Sequence, residues 1–437
     1  MRPSHPRRLA GLYLAQRTRF GVKFGLDTMR ALVAEMGHPE RAFPSLLVSG
    51  TNGKGSVVAY ADSVLRAAGL RSGRYTSPHL VRVNERIAVN GRDVTDHDFE
   101  IAVRSVRAAA ERLVRRGVIA THPTFFEALT TAAFAHFRRK RVDVAVLEVG
   151  LGARLDATNV VDPIASAIVS VALDHQVYLG ETLASIAREK AGVLRRGRPT
   201  VVGPLPAEAL RAVRARARAT RARLVEAGRG SRVSVRSDGA GVVDLRTPGR
   251  SYAGLRPLPG EHQRDNLLVA VRLLEEARGE GLAVDLDALP AGVSRTRWPG
   301  RLEWIDGKPP LLLDGAHNPA GARALAAHLE GAGPFVLLFA AMNDKDVAGI
   351  ARALFPGAAE VVLTRPRLPR ALAPDDLARR LGRRAAQAHR ERSVSRALAR
   401  ARRLARARGT GTPVVVAGTL FLVGEVKGLL ERPRHQT

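Results

Sequence analysis

Short, mainly apolar runs recur along the chain at residues 46–49, 142–149, 164–171 and 200–202, and again at 311–313, 335–340, 361–363 and 414–417. Runs this short and this apolar predict strands buried on both faces, as in a parallel sheet covered by helices on either side. The stretches between them carry apolar residues at helical spacing. Residues 208–236 place Leu210, Val213 and Leu224 on one stripe, and 365–408 place Val394, Leu398 and either Leu404 or Ala405 on another. Between the two groups of strands lies Arg297-Trp298-Pro299-Gly300, a break in composition that divides the chain into two α/β units, 1–297 and 298–437.

With 437 residues, 45% of them apolar, the chain is long enough for two or more cores. It has no cysteine, which excludes a disulfide scaffold. The longest apolar stretch, 335–342, is less than half of the roughly 20 residues of a membrane span, and residues 1–19 lack the apolar core of a signal peptide. A soluble cytoplasmic protein with no membrane partner is expected.

The net charge of +29, from 70 Lys and Arg against 41 Asp and Glu, points towards polyanions. Much of the excess, however, lies on the two amphipathic segments, with 15 arginines against three acids in 365–408 and nine against two in 208–236. Neither segment interleaves the aromatic residues that stack bases, so both read as solvated helix faces in preference to a nucleic-acid surface.

The first strand runs into Gly50-Thr51-Asn52-Gly53-Lys54-Gly55-Ser56 and then into a helical pattern. Three glycines let backbone N–H groups turn towards a phosphate, the helix start adds positive dipole, Lys54 supplies charge and Ser56 a hydroxyl. This is the chemistry of a nucleotide triphosphate cradle. The spacing differs from the common loop: the first glycine stands three residues before the Gly-Lys pair instead of five, and Gly55 separates Lys54 from Ser56.

Further along, Glu148 ends an apolar run beside Gly150 and Gly152, where a parallel sheet opens onto its ligand crevice and an acid can bind Mg²⁺. His175 follows the next strand to the same rim, as either a structural histidine or a ligand. Thr182 can cap a helix whose Leu183, Ile186 and Leu194 share a stripe with Lys190. That stripe aims Lys190 inward. Residue type alone favours a lysine that snorkels out, whereas burial would favour a neutral amine able to take up CO₂ as a carbamate. In the second half Asp314 ends a strand, and Asn318-Pro319 reads as a helix cap followed by proline at the first helical position.

The loop variant resembles that of the Mur ligase superfamily of ATP-dependent amide-forming ligases. Joined with Thr76-Ser77-Pro78-His79-Leu80, Asn84-Glu85-Arg86-Ile87, Glu148-Val149-Gly150-Leu151-Gly152, Arg154-Leu155-Asp156-Ala157-Thr158-Asn159, Arg188-Glu189-Lys190-Ala191-Gly192 and Leu313-Asp314-Gly315-Ala316-His317-Asn318-Pro319, it makes the sequence similar to the folylpolyglutamate synthase/dihydrofolate synthase family. The resemblance implies an N-terminal P-loop ATPase domain with a mainly parallel sheet, plus a smaller C-terminal Rossmann-like α/β domain. It also implies that Gly50, Thr51, Asn52, Gly53, Lys54, Gly55, Ser56, Asn266, Arg301 and Asp314 bind ATP. Ser77 and Glu148, with Ser56 as a further hydroxyl, would hold one Mg²⁺; His175 and a carbamylated Lys190 would hold a second. Lys54, Lys190, His175 and His317 would serve the reaction.

Lys23, Phe24, Gly25, Thr124, Phe125, Phe126, Glu127 and Leu155 align with stretches that contact the folate-type substrate, although Phe125 and Phe126 are equally explained by core packing. Two positions depart from the pattern: Lys23 stands where an acid is expected, and Ala153 replaces a glycine. The implied activity is ATP-dependent addition of L-glutamate to a folate-type carboxylate, tetrahydrofolate or dihydropteroate, through an acyl phosphate. The partners would be small molecules and the enzyme a monomer. Two alternatives are a Mur-type ligase of cell-wall precursors and a nucleic-acid-binding P-loop protein that uses the arginine helices.

Overall fold

The computed structural model describes residues 7–17, 25–237, 241–409 and 411–431. Lys23 and Phe24 therefore lie outside the described residues. The first sheet contains β1 (Ser45–Ser49), β2 (Ser72–Tyr75), β3 (Ile87–Val89), β4 (Arg92–Asp93), β5 (Val144–Glu148), β6 (Ala165–Ile168), β7 (Pro199–Val202) and β8 (Arg223–Glu226). Their order is β4-β3-β2-β5-β1-β6-β7-β8. The strands from β2 to β8 in that order run parallel, and β3 and β4 add an antiparallel edge.

Burial explains why the central strands are mainly apolar. Along β1, Leu47 points into one core while Leu46 and Val48 point into the opposite one. Helices Asp96–Arg115, Phe125–Lys140 and Ala207–Thr220 cover the first face; Lys54–Ala67, His262–Gly279 and Leu289–Arg295 cover the second. Each fully buried Leu or Val contributes on the order of 1.5–3 kcal/mol, so an alternating polar pattern would have been costly here. A small antiparallel sheet of β9 (Arg232–Val235), β10 (Val243–Arg246) and β11 (Ser251–Leu255) adds Val243, Leu245 and Leu255 to the second core.

The third sheet is built from β12 (Glu303–Ile305), β13 (Leu311–Leu313), β14 (Phe335–Phe339), β15 (Ala358–Leu363), β16 (His389–Arg390) and β17 (Val414–Ala417), ordered β12-β13-β17-β14-β15-β16. Only β12 is antiparallel to its neighbour, and helices pack on both faces. The α/β class and the two-part architecture are those expected. Among the described residues no helix is long and apolar enough to cross a membrane.

Three expectations are corrected. The first arginine segment is not one helix: it stops at Thr220, Arg221 takes a left-handed conformation (φ 54°), and Leu224 lies on β8. Pairing of β8 with β7 extends the parallel sheet, and that outweighs local helical spacing. The second segment holds two helices, Pro374–Leu381 and Val394–Arg408, with β16 between them. In the latter helix Ala405 is buried and Leu404 only partly so. The helix capped by Thr182 ends at Lys190, before Leu194, and gives way to a 3₁₀ turn over Ala191–Val193.

Candidate active site

Parallel strands point their carboxyl ends the same way. The two large sheets present those ends to one cavity of about 890 Å³. Its walls include the loop after β1, Ser77 after β2, Glu148 of β5, His175 after β6, and Asp314, His317 and Lys345 from the third sheet.

The loop after β1 is held by its neighbour. Thr51 N donates to Ser170 O and Asn52 N to Ser170 Oγ, both at 2.9 Å. Gly53 caps the helix Lys54–Ala67 with φ 82°, and a Cβ there would lie 2.2 Å from Asn266 Oδ1. Glycine is thus required twice over at position 53, by conformation and by space. Asn266 Nδ2 donates to Gln263 Oε1 (3.0 Å), and Gln263 Nε2 donates to Ser56 Oγ (3.2 Å). These contacts bring Asn266 to the loop and add Gln263, which no sequence motif marks.

Lys54 Nζ donates to Gly50 O and Thr51 O at 3.0 and 3.2 Å. Lys190 Nζ reaches the same Gly50 O at 2.9 Å and is only 3% exposed, so it does not snorkel outward. Burial, helped by the charge of Lys54, pushes the Lys190 amine down to about 7. Lys54 is also lowered by burial, against the pull of Glu148 and Asp174.

Glu148 is buried, and its Oε2 accepts from Ser77 N (2.9 Å). Burial raises its pKa, partly offset by Lys54. His175 opens the short helix Gln176–Leu179, with Nε2 3.3 Å from Lys345 Nζ and Nδ1 3.7 Å from Asp344 Oδ2. Burial pushes it down to about 4, so near neutral pH one of its ring nitrogens carries a lone pair that can ligate a metal. No three His, Asp or Glu side chains among the described residues form a ready metal site. The oxygen donors Ser77, Glu148 and Ser56 nonetheless suit a hard cation. Lys190 cannot ligate as an ammonium group and must first lose its positive charge.

From the third sheet, Asp314 spends both carboxylate oxygens on backbone: Oδ2 accepts from Leu302 N (2.9 Å) and Oδ1 from Ala316 N (2.8 Å). This fixes the turn that carries Arg301 to the cavity. His317 Nδ1 sits 2.8 Å from Gly315 O, and its Nε2 sits 3.4 Å from Asp174 Oδ2. Asn318 caps the helix Pro319–Leu329 through Gly321 N. It also donates to Asn52 Oδ1 (2.9 Å) and Asp174 Oδ2 (3.0 Å), and Lys345 Nζ lies 2.5 Å from Asp174 Oδ1. Asp174 thereby gathers three residues of the third sheet onto the first. Lys345, in the loop after β14, carries no sequence motif.

The remaining wall is aromatic. Thr124 and Glu127 form a reciprocal cap at the start of Phe125–Lys140, so both side chains have a structural task as well as a place on the wall. The Arg86 guanidinium lies 5.2 Å from the Phe125 ring centroid. Phe126 packs 6.0 Å from Tyr75, and a Cβ on Gly150 would stand 2.6 Å from its Cζ. Gly25 and Leu155 complete this side.

Comparison with known proteins agrees with the two-sheet plan. Residues 48–274 match the Mur ligase middle domain, and residues 300–420 match the Mur ligase glutamate ligase domain. The chain is 36% identical over 338 residues to the dihydrofolate synthase/folylpolyglutamate synthase of Bacillus subtilis, covering 75% of this chain and 78% of that one. It is 39% identical over 430 residues to a probable bifunctional folylpolyglutamate synthase/dihydropteroate synthase of Halobacterium salinarum; this spans 96% of the chain but about half (51%) of the relative.

Among solved structures, Mycobacterium tuberculosis folylpolyglutamate synthase complexed with ADP superposes with a TM-score of 0.91 at 32% identity, covering 98% of this chain and 99% of that one. The Yersinia pestis bifunctional folylpolyglutamate synthase/dihydrofolate synthase, complexed with AMPPNP and Mn, gives 0.84 at 30% identity, covering 98% and 100%. The chain belongs to the folylpolyglutamate synthase/dihydrofolate synthase family of Mur ligases.

Proposed function

We propose that the protein joins L-glutamate to a folate-type carboxylate, tetrahydrofolate or dihydropteroate, with conversion of ATP to ADP and phosphate. The observation that carries this reading is the single cavity in which a phosphate loop, a buried acid and a buried lysine from the first sheet meet His317, Arg301 and Lys345 from the second large sheet. The ADP and AMPPNP–Mn complexes of its neighbours support a nucleotide and a divalent cation as ligands.

ATP would lie on the loop 50–56, with Lys54 near its terminal phosphates and Asn266, Arg301 and the Asp314 turn around the rest. Ser77 and Glu148, with Ser56, would hold one Mg²⁺; His175 and Lys190 would hold the second once Lys190, as its neutral amine, has added CO₂ and released a proton. Bound Mg²⁺ supplies charge neutralisation to the phosphates. Within the chain itself, Lys54 offsets the charge that builds as one anion approaches another, and the apolar wall of Phe125, Phe126 and Leu155 positions the acceptor so that its carboxylate faces the loop. The γ-phosphoryl group passes to that carboxylate, giving an acyl phosphate and ADP. The neutral amine of glutamate then attacks the acyl carbon, phosphate leaves and the amine proton is lost, with His317 near the reacting centre.

The units 1–297 and 298–437 would close on each other during this cycle and exclude water from the acyl phosphate, each molecule working as a monomer. The relatives favour this reading over a cell-wall ligase. Some arginines of the basic helices pair with acids, Arg214 with Glu226, Arg400 with Glu391 and Arg408 with Glu360. Phosphate release from MgATP and glutamate, measured with each acceptor in turn, tests the proposal.

A further inference from the structure

We infer that Trp298 is a positioning residue: its indole seats the first turn of the phosphate-loop helix and anchors the linker that delivers Arg301, and Gly55 is glycine because of this contact. The inference rests on the ATP reading of the loop given above.

Gly50 and Gly53 have φ values of 153° and 82°, which few residues other than glycine adopt. Gly55 has no positive φ and lies inside the helix Lys54–Ala67, where any residue's backbone fits. The common phosphate loop carries its hydroxyl residue directly after the lysine. What forbids a side chain at this point is the indole. A Cβ on Gly55 would stand 2.8 Å from both Cζ2 and Nε1 of Trp298 and 3.0 Å from Cε2.

The indole is itself held. The Arg74 guanidinium lies 5.4 Å from its ring centroid, and Arg74 is in turn 3.6 Å from Asp62, a fully buried residue of the same phosphate-loop helix. Trp298 is therefore clamped to the first sheet's side of the cavity. Two residues later Gly300 N donates to Glu303 Oε2 (2.7 Å), and Glu303 pairs with Lys427 (2.5 Å) on the other side. Arg301, between these holds, lines the cavity. Trp298 thus grips the first unit where the chain crosses between the two, on the element that carries Lys54 and Ser56.

The test is a mutant cycle read by calorimetric MgADP binding and by steady-state kinetics of the full chain. In the wild-type background Gly55→Ala weakens MgADP binding about tenfold or more, the effect of forcing a methyl group into a filled space. In a Trp298→Leu background the same change costs less than about twofold, because the obstructing atoms are gone. Trp298→Leu alone lowers kcat about tenfold through a misplaced Arg301, while its MgADP affinity stays within about threefold of wild type. An equal Gly55→Ala penalty in both backgrounds overturns the inference, since the glycine would then serve the phosphate directly; so does an undiminished kcat in Trp298→Leu. If the leucine variant does not fold, Trp298→Phe, which lacks Nε1 and Cζ2, takes its place in the same cycle. Wild-type protein that binds no MgADP contradicts the ATP reading instead.

Discussion

Lys190 and Lys54 donate to one acceptor: their side-chain nitrogens lie 2.9 and 3.0 Å from the carbonyl oxygen of Gly50. Two buried amines on one carbonyl is an arrangement that favours loss of a proton from one of them, and Lys190, pushed down to about 7, is that one. Between pH 7 and the ordinary lysine value of 10.5 the unfolded chain binds more protons at this position than the folded chain. Lys190 therefore destabilises the fold as pH falls through that window, and stability recovers as pH rises through it. The difference in unfolding free energy between wild type and Lys190→Met, in buffer free of CO₂ and Mg²⁺, should follow that slope; a flat difference between pH 7 and 10 contradicts it.

Carbamate formation abolishes the cation altogether. Isotope-labelled bicarbonate should give a carbamate carbon resonance in wild type that is missing in Lys190→Met, and the variant should lose activity by at least about a hundredfold if the acid it forms supports the second Mg²⁺. Full activity in Lys190→Ala would remove the residue from the reaction.

Asp174 and Lys345 form a buried pair between the two large sheets, with 6% and 7% of their side chains exposed. Breaking a buried pair from one side costs up to about 3–5 kcal/mol, less here because Asp174 keeps Asn318 and His317 beside it. Lys345→Met should therefore lower both the melting temperature and kcat. Asp174→Asn combined with Lys345→Met should cost clearly less than the two single changes added together. Additivity would show that the pair does not join the two halves.

Gly150 leaves room for Phe126. Gly150→Ala would push that ring into the cavity, at about 1–3 kcal/mol for overpacking. The KM for the folate-type acceptor should rise several-fold while the KM for ATP stays near the wild-type value. An effect confined to ATP would remove Phe126 from the acceptor site.

Glu148 has its pKa raised by burial, so acid protonates it earlier than an exposed glutamate. Its proposed role as a metal ligand predicts that the Mg²⁺ concentration for half-maximal activity rises as pH falls, because the ligand must be ionised. Glu148→Gln should raise that concentration at every pH and flatten the trend, which a Mg²⁺ titration at several pH values would show.

Much of the plan was legible from local pattern. The uniform burial of β1, β5, β6 and β7 is what their largely apolar runs required, and Lys190 sits on the inward stripe of a helix that Thr182 does cap. Ser72–Tyr75 escaped because Ser-Gly-Arg-Tyr shows no apolar run, yet it lies between β3 and β5 and receives its neighbours' hydrogen bonds. Leu224 was misplaced on a helix because a stripe of three residues fits two periods, and only pairing with β7 decides between them. Asp174, Gln263 and Lys345 carry no local signature. Their partners lie on distant segments, Lys345 on Asp174 and Gln263 on Ser56, and only the folded chain joins them.

The central claim is that one cavity activates a folate-type carboxylate with ATP and transfers it to glutamate. Its most direct test is phosphate release by the purified chain with MgATP and L-glutamate, run with tetrahydrofolate, with dihydropteroate and without acceptor. The account predicts release that depends on glutamate together with at least one of the two acceptors. Release at background level with both would contradict it.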